Sequence, residues 1–325
     1  MKTGRNVLIL GGGGFIGYHA VNAFLKKGYK VTVLDLFPPK EGFFKKEVNV
    51  IIKDISKLNE TDAIRLLSGY HVVVFAGGAD DRLLPKKPAY DFFYNANVKT
   101  ASNFFKIAKK AGVKKGILLS SYFAHFARIW PELKLAEKHP YIKSRIEQEE
   151  SCLKEAGKDF TLVILELPYI FGLAPGKKPL WTPLIKYFKN APIIFYTGGG
   201  TCMVSVKSVG EAIVGAAKFV NRSETFVVSD ENLAWTDFIK KILNIMNQKK
   251  IIITIPNFLI KTGMFFLKLW HDINGLESGL NPVSFVELQS KNTFVDSDSV
   301  KKVLKYEVGN LDESLKEVVD YSIKI

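Results

Sequence analysis

A short apolar run that ends in a block of glycines, close to the start of the chain, constrains the fold most. Residues 7–10 read Val-Leu-Ile-Leu, and the segment Gly-Gly-Gly-Gly-Phe-Ile-Gly follows at residues 11–17. A run this short suits a strand that is buried on both faces, and apolar residues recur at helical spacing after the glycines. The stretch therefore predicts a strand, a glycine turn and a helix.

The predicted turn has the properties of a phosphate site. Backbone N–H groups at a helix N-terminus lack partners within the helix, and the helix dipole favours a negative charge there. Glycine permits positive φ and lets a pyrophosphate approach the backbone without an intervening Cβ. The spacing of the glycines is a variant of the dinucleotide-binding fingerprint. We expect the cofactor to bind at Gly11, Gly14, Phe15, Ile16 and Gly17.

The second predicted strand, residues 30–35, ends in a carboxylate, Asp35. An acid at this place accepts hydrogen bonds from the hydroxyls of an adenosine ribose and repels a 2′-phosphate. The expected cofactor is therefore NAD rather than NADP. The alternative is a glycine-rich turn followed by an unrelated acid, but the order of strand, turn, helix and acid favours the dinucleotide site.

Short β-rich runs alternate with helical patterns as far as about residue 166. The later runs cover residues 49–53, 71–76, 115–120 and 160–165. Such alternation predicts an α/β fold with a doubly wound parallel sheet of the Rossmann type. A long helical pattern over residues 89–111 is apolar enough for one face on the sheet and another on a partner subunit.

The regular alternation fades after Pro168. Helical patterns cover residues 209–221, 235–246, 257–270 and 297–304, and strands are predicted near residues 203–206 and 224–228. We expect residues 1–170 to form the NAD-binding domain. Residues 171–325 are predicted to form a smaller substrate-binding lobe that is interwoven with it.

Ligands of parallel α/β sheets bind at the carboxyl ends of the strands, so the residues that follow each predicted strand are candidates for the site. Those after the third and fourth strands are expected to flank an adenine and a pyrophosphate: Asp54, Ile55, Phe75, Ala76 and Gly77. Ser120 and Ser121 follow the fifth strand. We expect Ser120 to contact the cofactor and Ser121 to hydrogen-bond the substrate oxygen.

A tyrosine and an arginine lie four residues apart in a helical pattern that begins near residue 141. Positions i and i+4 share a face of a helix, so Tyr141 and Arg145 are expected side by side while Lys143 points away. A neighbouring cation favours the ionised phenol and lowers its pKa toward the range of a general acid or base. The set of Ser121, Tyr141 and Arg145 therefore predicts proton transfer to or from a carbinol while a hydride moves to or from the nicotinamide.

These residues resemble the extended short-chain dehydrogenase/reductases, which include the NAD-dependent epimerase/dehydratase and 3β-hydroxysteroid-dehydrogenase-like enzymes. The resemblance rests on the glycine segment, Asp35, Asp54-Ile55, Phe75-Ala76-Gly77, Asn97-Val98, Ser120-Ser121, the Tyr141 motif, Pro168-Tyr169-Ile170-Phe171-Gly172 and Phe294-Val295-Asp296. It implies that Asn97 helps to order the helix near the site, that Ser121 and Tyr141 are catalytic, and that Pro168 to Ile170 line the nicotinamide. It also implies homodimers formed through the helices after the fourth and fifth strands.

The chain departs from this family at one position, because the family pattern Tyr-x-x-x-Lys reads Tyr141-x-x-x-Arg145 here. In the family the lysine binds the nicotinamide ribose and lowers the tyrosine pKa. Arginine keeps the charge, but its planar fork is larger and its geometry differs. The expected function is NAD-dependent oxidation or reduction of an apolar secondary alcohol or ketone. The alternatives are a nucleotide-sugar epimerase or dehydratase and an NAD-binding regulator without turnover.

Composition indicates which compartment, which metal content and which kind of ligand to expect. The chain has 325 residues, of which 47% are hydrophobic and 24% charged, and no signal-peptide pattern opens it. Two cysteines provide no disulfide framework and five histidines show no paired spacing, so we expect a reducing cytoplasm and no metal. The lysines behind the net charge of +14 come as scattered pairs, which are typical of solvated faces. We therefore expect a small-molecule substrate and no nucleic acid.

The most apolar stretch of the chain, residues 256–270, is too short to span a bilayer and contains Lys261 and Lys268. We expect it to form a core helix or a wall of an apolar pocket. Contact with a membrane surface remains the alternative, because the stretch is aromatic and the chain is cationic.

Overall fold

A computed structural model of the protein describes residues 5–307 and 311–325. The strands are β1 (Asn6–Leu10), β2 (Lys30–Asp35), β3 (Asn49–Ile52), β4 (Val72–Phe75), β5 (Lys115–Ser121), β6 (Thr161–Leu167), β7 (Tyr169–Phe171), β8 (Ile193–Tyr196), β9 (Gly200–Ser205), β10 (Glu224–Val227), β11 (Glu231–Ala234), β12 (Ile251–Thr254) and β13 (Asn292–Thr293). The helices are α1 (Phe15–Lys26), α2 (Glu60–Leu67), α3 (Ala89–Phe93), α4 (Thr100–Lys110), α5 (Tyr122–Ile129), α6 (Leu135–Lys138), α7 (Pro140–Ala156), α8 (Thr182–Asn190), α9 (Val206–Phe219), α10 (Trp235–Ile245), α11 (Asn257–Ile273), α12 (Pro282–Gln289), α13 (Asp298–Leu304) and α14 (Leu311–Lys324).

Seven strands form one parallel sheet in the order β10-β6-β5-β4-β1-β2-β3. Successive side chains of a strand point to opposite faces, so Val7 and Ile9 pack with α1 and α9 while Leu8 packs with α2, α4 and α7. Apolar helices therefore cover both faces of the sheet. The predicted doubly wound α/β fold of the Rossmann type is confirmed.

The predicted helix over residues 89–111 is divided into three parts. Between α3 and α4, residues Tyr94–Lys99 form a π-helical segment, in which the hydrogen bonds run from i to i+5. Asn97 lies in this segment and is fully buried. A π-helical turn inserts one residue into the helical register, and such turns are frequent at functional sites.

The part of the chain after β7 builds a second layer beside the carboxyl edge of the sheet. Strands β11, β9 and β13 form a small sheet with β7 paired to β9, and β12 pairs with β8. Aromatic residues of α8, α10 and β7 fill the core of this layer, with Trp235 fully buried. Strand β10, from the region predicted as the lobe, instead extends the main sheet beside β6. The division at residue 170 stays a prediction.

Helix α11 does not have the surroundings expected of a core helix. Its one buried residue is His271, and most of its large apolar side chains are exposed. The expectation that residues 257–270 pack into the core is therefore wrong. A pattern of apolar residues gives the helical period but does not specify which side of the helix meets the rest of the molecule. In the described part of the chain, none of the helices has the length and hydropathy needed to cross a membrane.

Candidate active site

The glycine turn between β1 and α1 brings backbone very close to backbone. Gly11 has φ +80°, in the left-handed region, and its carbonyl accepts a hydrogen bond from Gly14 N–H at 3.0 Å. A Cβ on Gly17 would lie 2.1 Å from the Gly11 carbonyl oxygen, so only glycine allows this approach of helix and turn. Helix α1 begins at Phe15 with Gly14 as its N-cap. Its N-terminus therefore faces the crevice above the sheet.

Asp35 lies at the carboxyl end of β2, directly beside this turn. Its Oδ2 atom accepts a hydrogen bond from Gly13 N–H at 2.9 Å, and its Oδ1 atom accepts one from Leu36 N–H at 2.9 Å. Because each carboxylate oxygen has two acceptor sites, Asp35 retains capacity for ribose hydroxyls.

A cavity of about 480 Å³ opens next to Asp35 at the carboxyl ends of β1, β2 and β4. Of the predicted residues, Gly11, Asp35, Asp54, Ile55, Phe75 and Gly77 line it. Ala76 is not among the lining residues, and its N–H donates to the Leu10 carbonyl at 2.9 Å. Sequence reasoning missed the apolar walls Leu36, Leu83 and Phe92. Only Leu36 had a signal, since it directly follows the β2 carboxylate.

Tyr141 and Arg145 lie side by side in the first turns of α7, and both are buried. The guanidinium carbon of Arg145 is 5.8 Å from the centre of the Tyr141 ring, and Nη2 donates to the Leu119 carbonyl at 2.7 Å. Ser121, the last residue of β5, is buried close enough to the phenol to influence its pKa. The structure therefore brings the three predicted catalytic residues together at the end of β5.

The pKa of Tyr141 is raised above its ordinary value, and burial of the phenol is the main cause. The Arg145 guanidinium and the Ser121 hydroxyl both lower this pKa, whereas the Asp81 carboxylate raises it. The expectation of a net decrease is wrong, because loss of hydration disfavours the phenolate more strongly than one cation favours it. The predicted direction of the Arg145 effect is confirmed.

Buried Asn97 connects α7 to the loop after β4. Its Oδ1 atom accepts a hydrogen bond from Ala79 N–H at 2.8 Å, and its Nδ2 group donates to the Ser144 hydroxyl at 3.2 Å. Ser144 in turn donates to the Tyr141 carbonyl at 2.7 Å, and Gln148 donates to the Asn97 carbonyl at 3.0 Å. These bonds fix the first turn of α7 and therefore the position of the phenol.

Behind Ser121, two buried carboxyl groups share one arginine. The Ser120 hydroxyl donates to Glu149, and Arg128 binds Glu149 at 2.8 Å and also pairs with Glu166. Burial and the neighbouring Glu149 raise the pKa of Glu166, whereas Arg128 lowers it. The Ser120 side chain is therefore occupied within the protein, which leaves its backbone for the predicted cofactor contact.

A second cavity, of about 250 Å³, lies on the other side of the glycine turn, where Phe15 and Ile170 are among its walls. Three cationic side chains also line it, Arg82, Lys177 and Lys178. The Ile170 carbonyl accepts a hydrogen bond from the indole N–H of Trp181 at 2.9 Å. The lining of this cavity therefore combines apolar walls with three cations. Pro168, the residue between β6 and β7, does not line it.

Asp81, in the loop after β4, is a further titratable residue beside Tyr141 and Arg145. Burial, with a contribution from Asp80, raises the Asp81 pKa to about 6, and Arg145 opposes this shift. The same carboxylate influences the pKa of Tyr141. No periodic pattern marks this loop, and its place beside α7 is a long-range effect of folding.

The site fits NAD on two independent observations. Where Gly11 and Gly17 approach each other, the backbone forms a cradle that a Cβ would fill. The N–H groups at the start of α1 are directed to this cradle. The Nε of Arg145 is buried and has no hydrogen-bond partner in residues 5–307 and 311–325, so a donor is available beside Tyr141. Over the same residues, no group of three or more His, Cys, Asp or Glu has the arrangement of a metal site.

Comparison with known proteins agrees with this geometry. Residues 7–228 match the sequence profile of the NAD dependent epimerase/dehydratase family. The chain is 27% identical over 261 residues to the Homo sapiens sterol-4-alpha-carboxylate 3-dehydrogenase, decarboxylating, and the match covers 75% of this chain and 67% of the relative.

Two solved structures share the fold over nearly the whole chain. The crystal structure of gox2253 superposes with a TM-score of 0.79 at 18% identity and covers 98% of both chains. UDP-glucuronic acid 4-epimerase from Bacillus cereus, in complex with NAD, has a TM-score of 0.69 at 16% identity and covers 98% of this chain and 99% of that one. The protein belongs to the NAD dependent epimerase/dehydratase family and is an NAD-dependent oxidoreductase of the extended short-chain dehydrogenase/reductase type.

Proposed function

We propose that the protein interconverts a secondary alcohol and its ketone, on an apolar substrate that carries an acidic group. The observation that supports this most directly is the buried set of Ser121, Tyr141 and Arg145 at the carboxyl end of β5. A phenol between a hydroxyl and a cation is the arrangement that proton transfer at a carbinol oxygen requires.

Each residue of the set has a separate role in this proposal. NAD, when bound, exchanges a hydride with the carbinol carbon of the substrate. Tyr141 takes up or returns the hydroxyl proton, because Arg145 and Ser121 favour its ionised form. Ser121 orients the substrate oxygen by a hydrogen bond. Arg145 also donates from its unpaired Nε to the nicotinamide ribose.

The remaining predicted residues hold the cofactor in this proposal. The pyrophosphate binds at Gly11, Gly14, Phe15, Ile16 and Gly17; the adenosine half contacts Asp35, Asp54, Ile55, Phe75, Ala76 and Gly77; the nicotinamide half lies near Asn97, Ser120, Pro168 and Ile170. The cavity beside Asp35 and the cavity beside Ile170 support this division, because they flank the glycine turn on its two sides.

The substrate class follows from the surroundings of Tyr141. Aromatic rings pack about it, with Phe93 at 5.6 Å and Phe123 at 6.5 Å between ring centres, and Phe285 packs against Phe123 at 5.8 Å. These rings suit an apolar body, while the cations of the second cavity suit a carboxylate. The human relative, a sterol-4-alpha-carboxylate 3-dehydrogenase, combines the same two features in its name.

Turnover of a panel of hydroxylated sterol carboxylates, uncharged sterols and nucleotide sugars, followed by NADH absorbance, tests this proposal. We expect oxidation of an apolar hydroxy acid with NAD, and a loss of turnover of roughly a hundredfold or more in Tyr141→Phe. Tyr321→Phe, which removes a partly exposed hydroxyl from α14, serves as the matched control. Retained turnover in Tyr141→Phe would overturn the catalytic assignment.

The cationic cavity also supports a second candidate, a nucleotide-sugar epimerase, since Arg82, Lys177 and Lys178 would suit a diphosphate as well. An epimerase regenerates its NAD in each cycle. Product formation from a nucleotide sugar without NADH accumulation would favour this candidate over the dehydrogenase.

We further propose that the protein is a cytoplasmic homodimer. Helices α4 and α7, which pack together on one face of the sheet, would provide the interface, and exposed apolar side chains such as Leu153 of α7 support this. Two free, buried cysteines support a reducing compartment. Sedimentation equilibrium of wild type and Leu153→Glu tests the interface, and we expect the variant to dissociate into monomers.

A further inference from the structure

Helix α11 turns its apolar side away from the protein. Eight large apolar side chains of this helix are exposed, with Phe258 at 67% and Ile273 at 76%; the others are Leu259, Phe265, Phe266, Leu267, Leu269 and Trp270. At about 100° per residue, these positions fall within an arc of roughly 200°. Buried His271 lies on the opposite side. A surface helix of a globular protein ordinarily has the reverse orientation.

Helix α11 has two lysines, Lys261 and Lys268, and one acid, Asp272. At about 100° per residue, both lysines lie roughly 40 to 60° beyond one edge of the apolar arc. Asp272 is paired with Lys87 and, at 2.7 Å, with Lys268. An apolar, aromatic face with lysines beyond one edge is found in helices that lie in the interface of an anionic bilayer.

The net charge of the chain bears on what covers this face. At +14, the protein is attracted to anionic lipid head groups. Charge complementarity therefore favours phospholipid as the occupant of this face.

The segment after α11 connects this face to the candidate active site. Lys87 N–H donates to the Gly275 carbonyl at 3.0 Å, and Tyr141 N–H donates to the Gly279 carbonyl at 3.0 Å. The adjoining loop exposes Leu83 and Leu84, and Leu83 also lines the cavity beside Asp35. The apolar face therefore lies next to the segment whose Gly279 carbonyl is hydrogen-bonded to Tyr141.

We infer that α11 docks the protein on an anionic phospholipid surface. Its exposed aromatic and aliphatic side chains enter the interface between head groups and acyl chains, and Lys261 and Lys268 lie at the level of the phosphates. The helix lies in the plane of the membrane, since it is too short to cross it. Docking itself does not depend on the proposed reaction. The further step, in which a membrane-dissolved alcohol enters beside Tyr141, rests on the proposed function.

Sedimentation of the full-length protein with vesicles tests this inference. We expect binding to phosphatidylcholine vesicles that contain phosphatidylglycerol, weaker binding to pure phosphatidylcholine, and a decrease as NaCl is raised. The double variant Phe265→Ser/Phe266→Ser is expected to lower the partition coefficient at least roughly tenfold. Lys261→Gln is expected to lower it about fivefold, and only with phosphatidylglycerol present.

Phe219→Ser is the matched control for the double variant. This exposed phenylalanine also has two lysines over its ring, at 5.0 and 4.5 Å, but it lies at the end of α9, near the amino end of β5. Circular dichroism and Tm check that every variant is folded. Absence of binding to phosphatidylglycerol vesicles, or unchanged binding of the folded double variant, would overturn the inference. The inference would also be overturned if the wild type does not bind vesicles and the double variant Phe265→Ser/Phe266→Ser changes its oligomeric state.

Discussion

Arg145 is a buried guanidinium with an unused donor. One of its terminal nitrogens bonds to the Leu119 carbonyl, while Nε has no partner among the described residues. Such a group is costly to bury unless a ligand or a neighbouring anion compensates it. A phenolate formed at Tyr141 during the reaction would be such an anion, since Arg145 lowers the Tyr141 pKa against the larger effect of burial.

Replacement of Arg145 by methionine should therefore raise the Tyr141 pKa further. The expected result is a kcat profile displaced to higher pH, with turnover at neutral pH lower by roughly tenfold for each unit of displacement. Arg145→Lys keeps the charge but not the planar fork, so the profile should remain while KM for NAD changes. A pH profile of Arg145→Met identical to that of wild type would contradict the role. Activity in Arg145→Lys and none in wild type would favour the regulator alternative.

Asp81 provides a prediction for pH-dependent stability. Burial and Asp80 raise its pKa from 3.8 to about 6, so the folded protein binds a proton more tightly than the unfolded chain. The free energy of unfolding should therefore fall as the pH rises through this interval. In Asp81→Asn, this decrease in the free energy of unfolding should be smaller by about 1 to 2 kcal/mol, a figure that allows for the partial exposure of the side chain. Urea denaturation between pH 4 and pH 7 measures it, and parallel curves for both proteins would contradict the assignment.

Local pattern was sufficient for one group of site residues but not for another. The glycine turn and Asp35 belong to a single strand–helix–strand unit, so their positions at one edge of the sheet follow from spacing alone. Asp81 and the Ser120–Glu149 bond depend on contacts between elements distant in the chain. The net pKa of Tyr141 depends on burial, which no pair of sequence positions reveals.

At the level of elements, the β1–α1 turn depends on Gly17. A Cβ there would meet the Gly11 carbonyl oxygen at 2.1 Å and the Gly12 Cα at 2.7 Å, both backbone atoms that cannot rotate away. Gly17→Ala should destabilise the protein by about 2 to 3 kcal/mol and abolish measurable NAD binding by calorimetry. Gly263→Ala is the control, because no atom beyond its chain neighbours and the helix's own backbone lies within 4 Å of a Cβ there; in the middle of α11 it should be neutral or stabilising. Equal Tm and NAD affinity in Gly17→Ala and wild type would contradict the steric argument.

Helix α11 and strand β10 show why elements are easier to predict than their surroundings. The apolar period predicted a helix from residue 257, and the helix is present, but its apolar face points outward. The strand near residue 224 was also predicted, yet it pairs with β6 in the main sheet. Periodicity is a local property, whereas the partner of a face or strand is decided by the whole chain.

At the scale of the molecule, the sheet and its two helical layers follow from alternation along the sequence, since parallel strands require helical crossovers. A buried polar cluster joins three parts of this architecture. Arg128 of α5 connects Glu149 of α7 with Glu166 of β6, and both carboxyl groups are almost completely buried. The Arg128 guanidinium is therefore the shared cation of two buried carboxyl groups at the place where α5 and α7 meet the sheet. The stability of the fold depends on this cation.

Arg128→Met should consequently leave two buried carboxyl groups without their cation and lower the free energy of unfolding by about 2 to 4 kcal/mol at neutral pH. The Glu166 pKa, already raised by burial and Glu149, should rise further, because Arg128 lowers it in the wild type. The deficit should therefore shrink as the pH falls and the acids become neutral. Arg128→Met/Glu166→Gln should recover part of the loss at neutral pH, because glutamine removes the free-energy cost of protonating the buried Glu166. Urea denaturation of the wild type and both variants, at neutral pH and below, measures both effects. If the loss of stability in Arg128→Met does not depend on pH and the double variant recovers none of it, Arg128 acts through packing alone.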